Sequence, residues 1–286
     1  MKKRLPLLIL ASILLLTYCQ DDGADGEQLA KAYCGGCHLY AAPELLDKKS
    51  WEKGVLPKMA LYLGIKAKDS NPLEGMSYAD LQIILEAKVF PNKAVISSEH
   101  WQAIQAFYLN NAPDQLPSNS QSQNPKKVRL FQPKAIRTDS QQAAMVTMLK
   151  IDTLRQQFLM ADGNNQLQFL QSNGQVDSQL KLISPVTDIH RPADGQYYLT
   201  AIGHMNPKDQ PVGLLVRSDE KQGIKQLIRS LPRPVHSNFA DLNQDGLEDV
   251  VICGFGYHVG RLSWFEQKAN EQYEEHILLD VPESPF

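Results

Sequence analysis

A Cys-Gly-Gly-Cys-His sequence at residues 34–38 restricts the fold of this chain more than any other feature. Two cysteines separated by two residues on a helical turn can each form a thioether bond with one vinyl group of a porphyrin. The histidine that follows then lies beneath the iron and binds it axially. The motif therefore predicts a haem c attached covalently to Cys34 and Cys37, with His38 as the first axial ligand.

Two other kinds of site use a pair of closely spaced cysteines. A structural zinc site needs a second pair of ligands, and the sequence has no such pair at the usual spacing. A redox-active dithiol of the thioredoxin type lies on a βαβ unit, whereas the apolar residues around this motif have helical spacing. The residues therefore favour haem attachment over both alternatives.

The second axial ligand of the iron has three candidates. Methionine and histidine both occur opposite the first histidine, and methionine raises the potential. Met59 follows Pro57 on an apolar helical face and ranks first, although a methionine in that position can also be an ordinary core residue. Met76 lies in a loop and ranks second, and His100 ranks third.

Residues 27–112 have the apolar spacing of a small all-α domain. Ser77 can cap one of its helices, and Ser97 or Ser98 can cap the last, which carries several aromatic residues. Together with the attachment motif, this pattern resembles a small cytochrome c domain.

Two further segments, residues 43–46 and 51–59, are similar to parts of cytochrome domains fused to repeat domains in exported bacterial proteins. The resemblance implies electron transfer, often to or from an attached or partner dehydrogenase.

The N-terminus has the pattern of an export signal. A basic start precedes an apolar run at residues 5–16, which is shorter than the about 20 residues that span a membrane. Leu16 lies three residues before Cys19, which resembles the lipobox of bacterial lipoproteins, although Tyr18 stands where a small residue is preferred. We predict a lipoprotein-type signal peptide over residues 1–19 and lipidation of Cys19.

An acidic tether at residues 20–26 would follow the lipidated cysteine. These features predict an exported protein of the cell envelope, in the periplasm or on the outer-membrane surface, held to the membrane by its lipid.

The pattern changes after residues 113–127, a linker rich in Pro, Ser, Asn and Gln. From residue 128 to 286 the chain has short strand-like runs separated by turn signals, which predicts an all-β repeat domain resembling part of a β-propeller. Cys253 lies in one of these runs and is expected to be buried. The predicted strands are 144–151, 157–161, 167–171, 197–202, 213–217, 249–253 and 262–266.

The sequence Asp-Leu-Asn-Gln-Asp-Gly-Leu-Glu-Asp at residues 241–249 is the second specific motif. Alternating oxygen-bearing side chains can converge on one hard cation, and the glycine allows a sharp turn. An EF-hand loop begins in the same way, but its last glutamate would fall on Ile252. The motif instead resembles the FG-GAP or VCBS repeat of β-propellers, and an Asx-rich turn without an ion is the alternative. The predicted calcium ligands are Asp241, Asn243, Asp245, the carbonyl of Leu247, and Asp249.

The second domain is short for a propeller. A blade takes about 40 to 50 residues and closed propellers have about 4 to 8 blades, so residues 128–286 hold about three. Residues 275–279 also have a strand pattern. We therefore expect a shortened, incomplete propeller with an exposed edge near residues 262–279. A small β-domain with a different closure is the alternative.

The function predicted from these features is electron transfer to a redox partner protein, with a calcium-binding β-repeat domain that binds a protein or glycan. The net charge of −3 without a basic cluster argues against a nucleic-acid partner. The alternative is a haem-containing dehydrogenase whose repeat domain binds the substrate. It ranks second because no convergent carboxylates, catalytic base or organic-cofactor motif is visible. A surface-binding lipoprotein with a vestigial haem domain is the third possibility.

Overall fold

The computed structural model describes residues 25–66, 73–117, 145–192, 196–219 and 223–282. The predicted signal peptide, Cys19, most of the tether and most of the linker lie outside these residues. The described residues form two compact units, one from 25–66 with 91–117 and one from 73–90 with the described parts of 145–282. No helix in the described ranges is long and apolar enough to cross a membrane.

The first unit is helical, and short polar side chains cap its helices. Asp25 accepts a hydrogen bond from the Glu27 amide, and the Ser97 hydroxyl accepts one from the His100 amide, as an N-cap does. The helical elements are α1 Gly26–Cys34, a 3₁₀ turn Pro43–Leu45, α2 Lys48–Ser50, a π-helical turn Trp51–Val55, α3 Leu56–Tyr62 and, later in the chain, α5 Ser98–Asn111.

The π-helical turn has a cause in the sequence. Pro57 carries no amide hydrogen, and in a regular α-helix its ring would clash with the carbonyl four residues earlier. The wider turn places the Leu56 amide on the Trp51 carbonyl, so the helix continues across the proline. Trp51 is 3% exposed and is thereby directed into the core.

The core of the first unit is aromatic. The rings of Trp51 and Tyr108 lie 4.3 Å apart, between centroids. Both polar atoms are satisfied, because the Trp51 indole donates to the Pro43 carbonyl at 2.8 Å and the Tyr108 hydroxyl to the Ala41 carbonyl at 2.7 Å. The buried members of this core are Ala30, Trp51, Leu56, Ala60, Ile96, Trp101, Ile104 and Tyr108.

Residues 73–90 belong to the second unit, although the sequence analysis places them within the first domain. They contain helix α4, Tyr78–Glu86, which Ser77 caps as expected by accepting the Asp80 amide. Asp80 is 4% exposed and accepts the amide hydrogen of Asp209, in a loop of the β-rich part, at 3.0 Å. A buried carboxylate thus joins α4 to the β-rich part.

Three four-stranded antiparallel sheets make up the rest of the second unit, so the described chain is mostly β. In each sheet the strands are adjacent in chain order, which is the arrangement of a propeller blade. The first sheet holds β1 Val146–Asp152, β2 Gln157–Asp162, β3 Gln166–Gln171 and β4 Val176–Lys181. The second holds β5 Val186–His190, β6 Tyr197–Ala201, β7 Gly213–Asp219 and β8 Gly223–Leu231. The third holds β9 Pro234–Ala240, β10 Asp249–Phe255, β11 Val259–Lys268 and β12 Gln272–Pro282.

The first strand of every sheet carries one extra residue opposite its neighbour, namely Thr147, Thr187 and Val235. The Thr147 hydroxyl donates to the carbonyl of Val186 at 2.6 Å, and the Thr187 hydroxyl donates to that of Pro234 at 3.0 Å. Each threonine therefore joins its sheet to the next one. Valine at the third position has no hydroxyl with which to do so.

Candidate functional site

The Cys-x-x-Cys-His motif lies where helix α1 ends. Cys34 is the last residue of the helix, and Gly35 ends it by donating its amide to the Lys31 carbonyl at 3.2 Å. A Cβ atom on Gly35 would lie 2.5 Å from that carbonyl oxygen, so the close turn requires glycine. Cys34 is half-buried against the helical core, Cys37 is exposed, and both are free thiols.

His38 is held in a form that can bind a metal. Its Nδ1 lies 2.7 Å from the carbonyl oxygen of Leu39. A carbonyl only accepts hydrogen bonds, so Nδ1 carries the hydrogen and Nε2 has its lone pair available. Histidine ligands are commonly oriented by such a bond from the other ring nitrogen.

The surroundings of the Cys34 thiol differ from those of a redox-active thiolate. Burial, and then the neighbouring Cys37, raise the pKa of the Cys34 thiol. Cysteines that act as redox catalysts have lowered pKa values in electropositive surroundings. The raised pKa thus weighs against the thioredoxin-type alternative.

Apolar surface lies next to the motif. Leu39, directly after His38, exposes 93% of its surface, so apolar side-chain surface adjoins this histidine. Tyr40 is partly buried against the same helical core as Cys34. A largely apolar macrocycle is compatible with such surroundings.

The structure separates the two methionine candidates. Met59 lies on α3, partly buried against the core that also contacts Cys34. Met76 lies in the second unit, where it lines a cavity of about 270 Å³. His100 lies on α5 with its ring 6.5 Å from that of Tyr33. The other residues that line the cavity are Gly75, Ser77, Asp80, Pro207, Lys208 and Tyr257.

The predicted calcium loop connects β9 to β10 and folds around its own amide groups. Gly246 adopts a φ of +88°, which favours glycine. Asp241 accepts the amides of Asp245 and Gly246 at 3.1 and 3.0 Å, and Asp245 accepts that of Leu247 at 2.8 Å. Asn243 accepts the Asp245 amide at 3.1 Å. Asp241, Asn243 and Asp245 are also exposed, and their side-chain oxygens are of the type that calcium binds.

Asp249 differs from the other predicted ligands because it is fully buried. One of its carboxylate oxygens accepts the Leu242 amide at 3.1 Å and the other accepts the Gln267 amide at 2.8 Å. This carboxylate fixes the loop to the start of β10 and to β11. Its role in the structure is to anchor the loop, and the same group is predicted to complete a calcium site.

One cluster of ligand-type groups was not predicted from the sequence. In the described part of the chain, the only group of three or more His, Cys, Asp or Glu residues whose ligand atoms lie within 4.8 Å of one another is Glu266, Glu274 and His276. The cluster could be recognised only from the strand register, because Glu266 pairs with Glu274 across β11 and β12. The Lys268 ammonium lies 2.6 Å from Glu266 and 3.1 Å from Glu274, so these carboxylates already have a cation, and we assign no metal there.

Cys253 is exposed, contrary to the expectation from sequence. It lies on β10, where Val250 and Ile252 are the buried apolar residues. Because side chains alternate along a strand, Cys253 points away from the core that Ile252 enters.

Comparisons with known proteins add little. No protein-family model matches the chain, and no curated protein matches it. Among solved structures the chain is similar to one described as "Structure of Dos1 propeller", with 11% identity over 49% of this chain and a TM-score of 0.37. The chain spans 37% of the length of that protein. The propeller-like character of the second unit follows from its own three sheets.

Proposed function

We propose that the chain is an exported electron-transfer protein that carries one haem c on Cys34, Cys37 and His38. The observation that supports this most is the orientation of His38, whose Nδ1 is held by the Leu39 carbonyl while Nε2 is available for iron. The two thiols of the motif are free and lie on the adjacent turn. The helical unit is then a small cytochrome c domain.

When bound, the haem supplies a one-electron couple at its iron. The residues of this chain would attach and orient it. Cys34 and Cys37 would hold it covalently, and His38 would bind its iron. Met59 is the second axial ligand in this proposal, because it contacts the same core as Cys34. Methionine in that role favours a raised potential.

The remaining parts of the proposal concern location and partners. The lipoprotein-type signal and Cys19 anchor the protein to a membrane of the cell envelope. The β unit binds a partner, and calcium bound by the loop at residues 241–249 stabilises one of its turns. A redox protein receives or supplies the electron.

Covalent attachment can be tested by staining a denaturing gel for haem. The protein is produced in cells that can attach haem c, and its peroxidase activity is compared with that of Cys34→Ser and Cys37→Ser variants. The matched control is Cys253→Ser, an exposed cysteine in the other unit. We expect haem to remain on the wild type and the control and to be weakened or lost in the other two. Haem that leaves the wild type under denaturing extraction would refute the assignment.

The axial ligands can be tested by optical spectroscopy. The His38→Ala variant should lose the low-spin spectrum. If Met59 binds the iron, oxidised protein shows a weak sulfur-to-iron band near the red edge, which Met59→Ala removes. Met76→Ala is the matched methionine control, and loss of the band in that variant alone would transfer the role to Met76.

A further inference from the structure

The three sheets of the second unit end in three equivalent outer strands, β4, β8 and β12. Each is the fourth strand of its sheet and lies at an edge of it. An edge strand presents unpaired backbone amides and carbonyls to any extended chain that approaches it. Proteins usually protect such edges with charged or polar side chains.

Two of these edges are protected. β4 has one large apolar residue that is strongly exposed, Val176 at 44%, and polar residues follow it. β8 likewise has one, Ile224 at 54%, followed directly by Lys225. The exposed polar residues of the two strands include Asp177, Ser178, Gln179, Lys181, Gln226 and Arg229.

The third edge is different. Ile277, Leu278 and Leu279 are consecutive on β12 and are 51%, 55% and 53% exposed. The pairing of β12 with β11 shifts by one residue at Leu278, so this residue is bulged. Three adjacent large apolar side chains therefore lie in solvent on one edge strand.

Charged side chains flank this apolar triplet along β12 and lie on the neighbouring strand β11. β11 and the described side chains of β12 carry four carboxylates, Glu266, Glu274, Glu275 and Asp280, against two cations, which leaves a net charge of −2 with histidine neutral. The two cations, Arg261 and Lys268, already pair with Glu275 and Glu274 respectively.

A second copy of this chain is a poor occupant of the edge. Glu274 and Glu275 precede the triplet and Asp280 follows it. In the antiparallel register that pairs Ile277 with Ile277 of a second copy, Glu274 of each strand would face Asp280 of the other. Like charges that face each other across a strand pair are destabilising.

We propose that the β12 edge is a docking site for an extended segment of a partner protein, with an apolar centre and lysine or arginine on both flanks. The segment adds as a fifth strand to the third sheet, as in β-augmentation. Backbone hydrogen bonds provide affinity, the triplet contacts the apolar centre, and the net charge of −2 on β11 and β12 favours the basic flanks. This inference rests on the partner-binding role proposed above for the β unit and specifies the chemistry of that partner.

The test uses the full chain and a fluorescein-labelled peptide, Lys-Arg-Val-Ile-Val-Lys-Arg, with binding followed by fluorescence polarisation. The variants Leu278→Ser and Leu279→Ser should each weaken binding by about tenfold or more. Val176→Ser is the matched control, since it changes an exposed apolar residue on another outer strand, and it should bind as the wild type does. Because all three side chains are exposed, the thermal midpoints should stay close to that of the wild type, and having two triplet variants protects the test against misfolding of one.

The charge requirement is tested with a peptide in which glutamate replaces every lysine and arginine, and this peptide should not bind. Equal binding of the two peptides, unchanged binding by both triplet variants, or no binding of the basic peptide would overturn the proposal. Self-association of the wild type that Leu278→Ser abolishes, measured by sedimentation, would also overturn it in favour of a second copy. Haem staining of the same samples reports on the electron-transfer proposal separately.

Discussion

The turn at residues 34–38 and the loop at residues 241–249 both carry ligand-type side chains, but those groups have different partners. In the loop, carboxylates accept hydrogen bonds from the amides of the loop itself, as Asp241 does from Gly246. In the turn, Cys37 is exposed and His38 uses only its Nδ1. The loop is therefore shaped by its own sequence, whereas the turn presents groups that suit an additional partner.

This difference leads to different expectations for stability. A loop that satisfies its own polar groups folds without an ion, so an ion adds only its binding free energy. The helical unit has a small core that includes aromatic residues, and Cys34 packs against it. Changes to that core should therefore have larger effects than removal of an ion from the loop.

The largest effect is expected for Trp51→Ala. Trp51 is 3% exposed, packs against Tyr108 and donates to the Pro43 carbonyl, so the variant loses packing and leaves a buried acceptor. Substitutions of this kind cost about 3–5 kcal/mol. The free energy of unfolding, from urea titration followed by circular dichroism in the helical band, should fall by that amount.

Trp264→Ala is the matched control for this variant, because Trp264 is only partly buried and lies in the other unit. It should leave the helical transition unchanged. A Trp51→Ala loss below about 1 kcal/mol would show that the helical unit does not depend on its aromatic core.

The next largest effect is expected for Asp249→Ala in the second unit. The variant leaves the amides of Leu242 and Gln267 without their acceptor at a fully buried position. Two such losses, at about 1.5 kcal/mol each, cost about 3 kcal/mol in total. The unfolding midpoint followed in the β-sheet band should fall in the presence of a chelator, so that no ion contributes.

The control for this prediction is Asp177→Ala, which removes an exposed carboxylate from β4. It should change the free energy of unfolding very little. If Asp249→Ala is destabilising only when calcium is present, Asp249 acts through an ion and its anchoring role is wrong.

The polarity of each strand explains why some strands were predicted from the sequence and others were missed. The predicted strands correspond to the two central strands of every sheet, for example β2 and β3, and to β1 and β12. Central strands are apolar, so their pattern is visible. The missed strands are β4 and β8, which are outer and largely polar, and β5 and β9, of which β5 follows Pro185 and β9 begins with Pro234. Proline signals a turn in sequence yet is tolerated at the first residue of a strand.

The residues of the candidate sites also differ in how far the sequence predicts them, because some depend on local spacing and others on the folded chain. The spacing of Cys34, Cys37 and His38 is local, so the sequence contains it directly. The Leu39 carbonyl that orients His38 is a backbone group, and no residue pattern identifies it. The cluster of Glu266, Glu274 and His276 depends on strand register across a hairpin, which sequence alone does not specify.

A smaller effect is expected from calcium at the loop. Binding to the folded state adds RT ln(1 + [L]/Kd), which is about 2.7 kcal/mol at a hundredfold excess over Kd. Asp241→Ala or Asp245→Ala should therefore lower the melting temperature of the second unit more in calcium than in chelator. An identical wild-type melting temperature in calcium and in chelator would refute a stabilising site.

The smallest effect at neutral pH is expected from Asp209, which resembles Asp249 in being buried and bound to amides. Its carboxylate accepts the amides of Tyr257, His258 and Val259 and the Nδ1–H of His258. Burial raises the pKa of Asp209, but the hydrogen bonds from the side chain and backbone of His258 outweigh it, so the pKa is lowered. A carboxylate with a lowered pKa in the folded state stabilises the protein above its unfolded value, about 3.9, and this contribution is lost as the pH falls through the folded value.

Below about pH 4, Asp209→Asn should therefore weaken the acid dependence of the second unit's melting temperature. Asp177→Asn is the exposed control and should retain the wild-type profile throughout. Asp152 and Glu266 also have lowered pKa values and contribute to the same acid transition, so the informative quantity is the difference between variant and wild type at each pH. Parallel profiles below pH 4 would show that the ionised Asp209 carboxylate does not stabilise the fold.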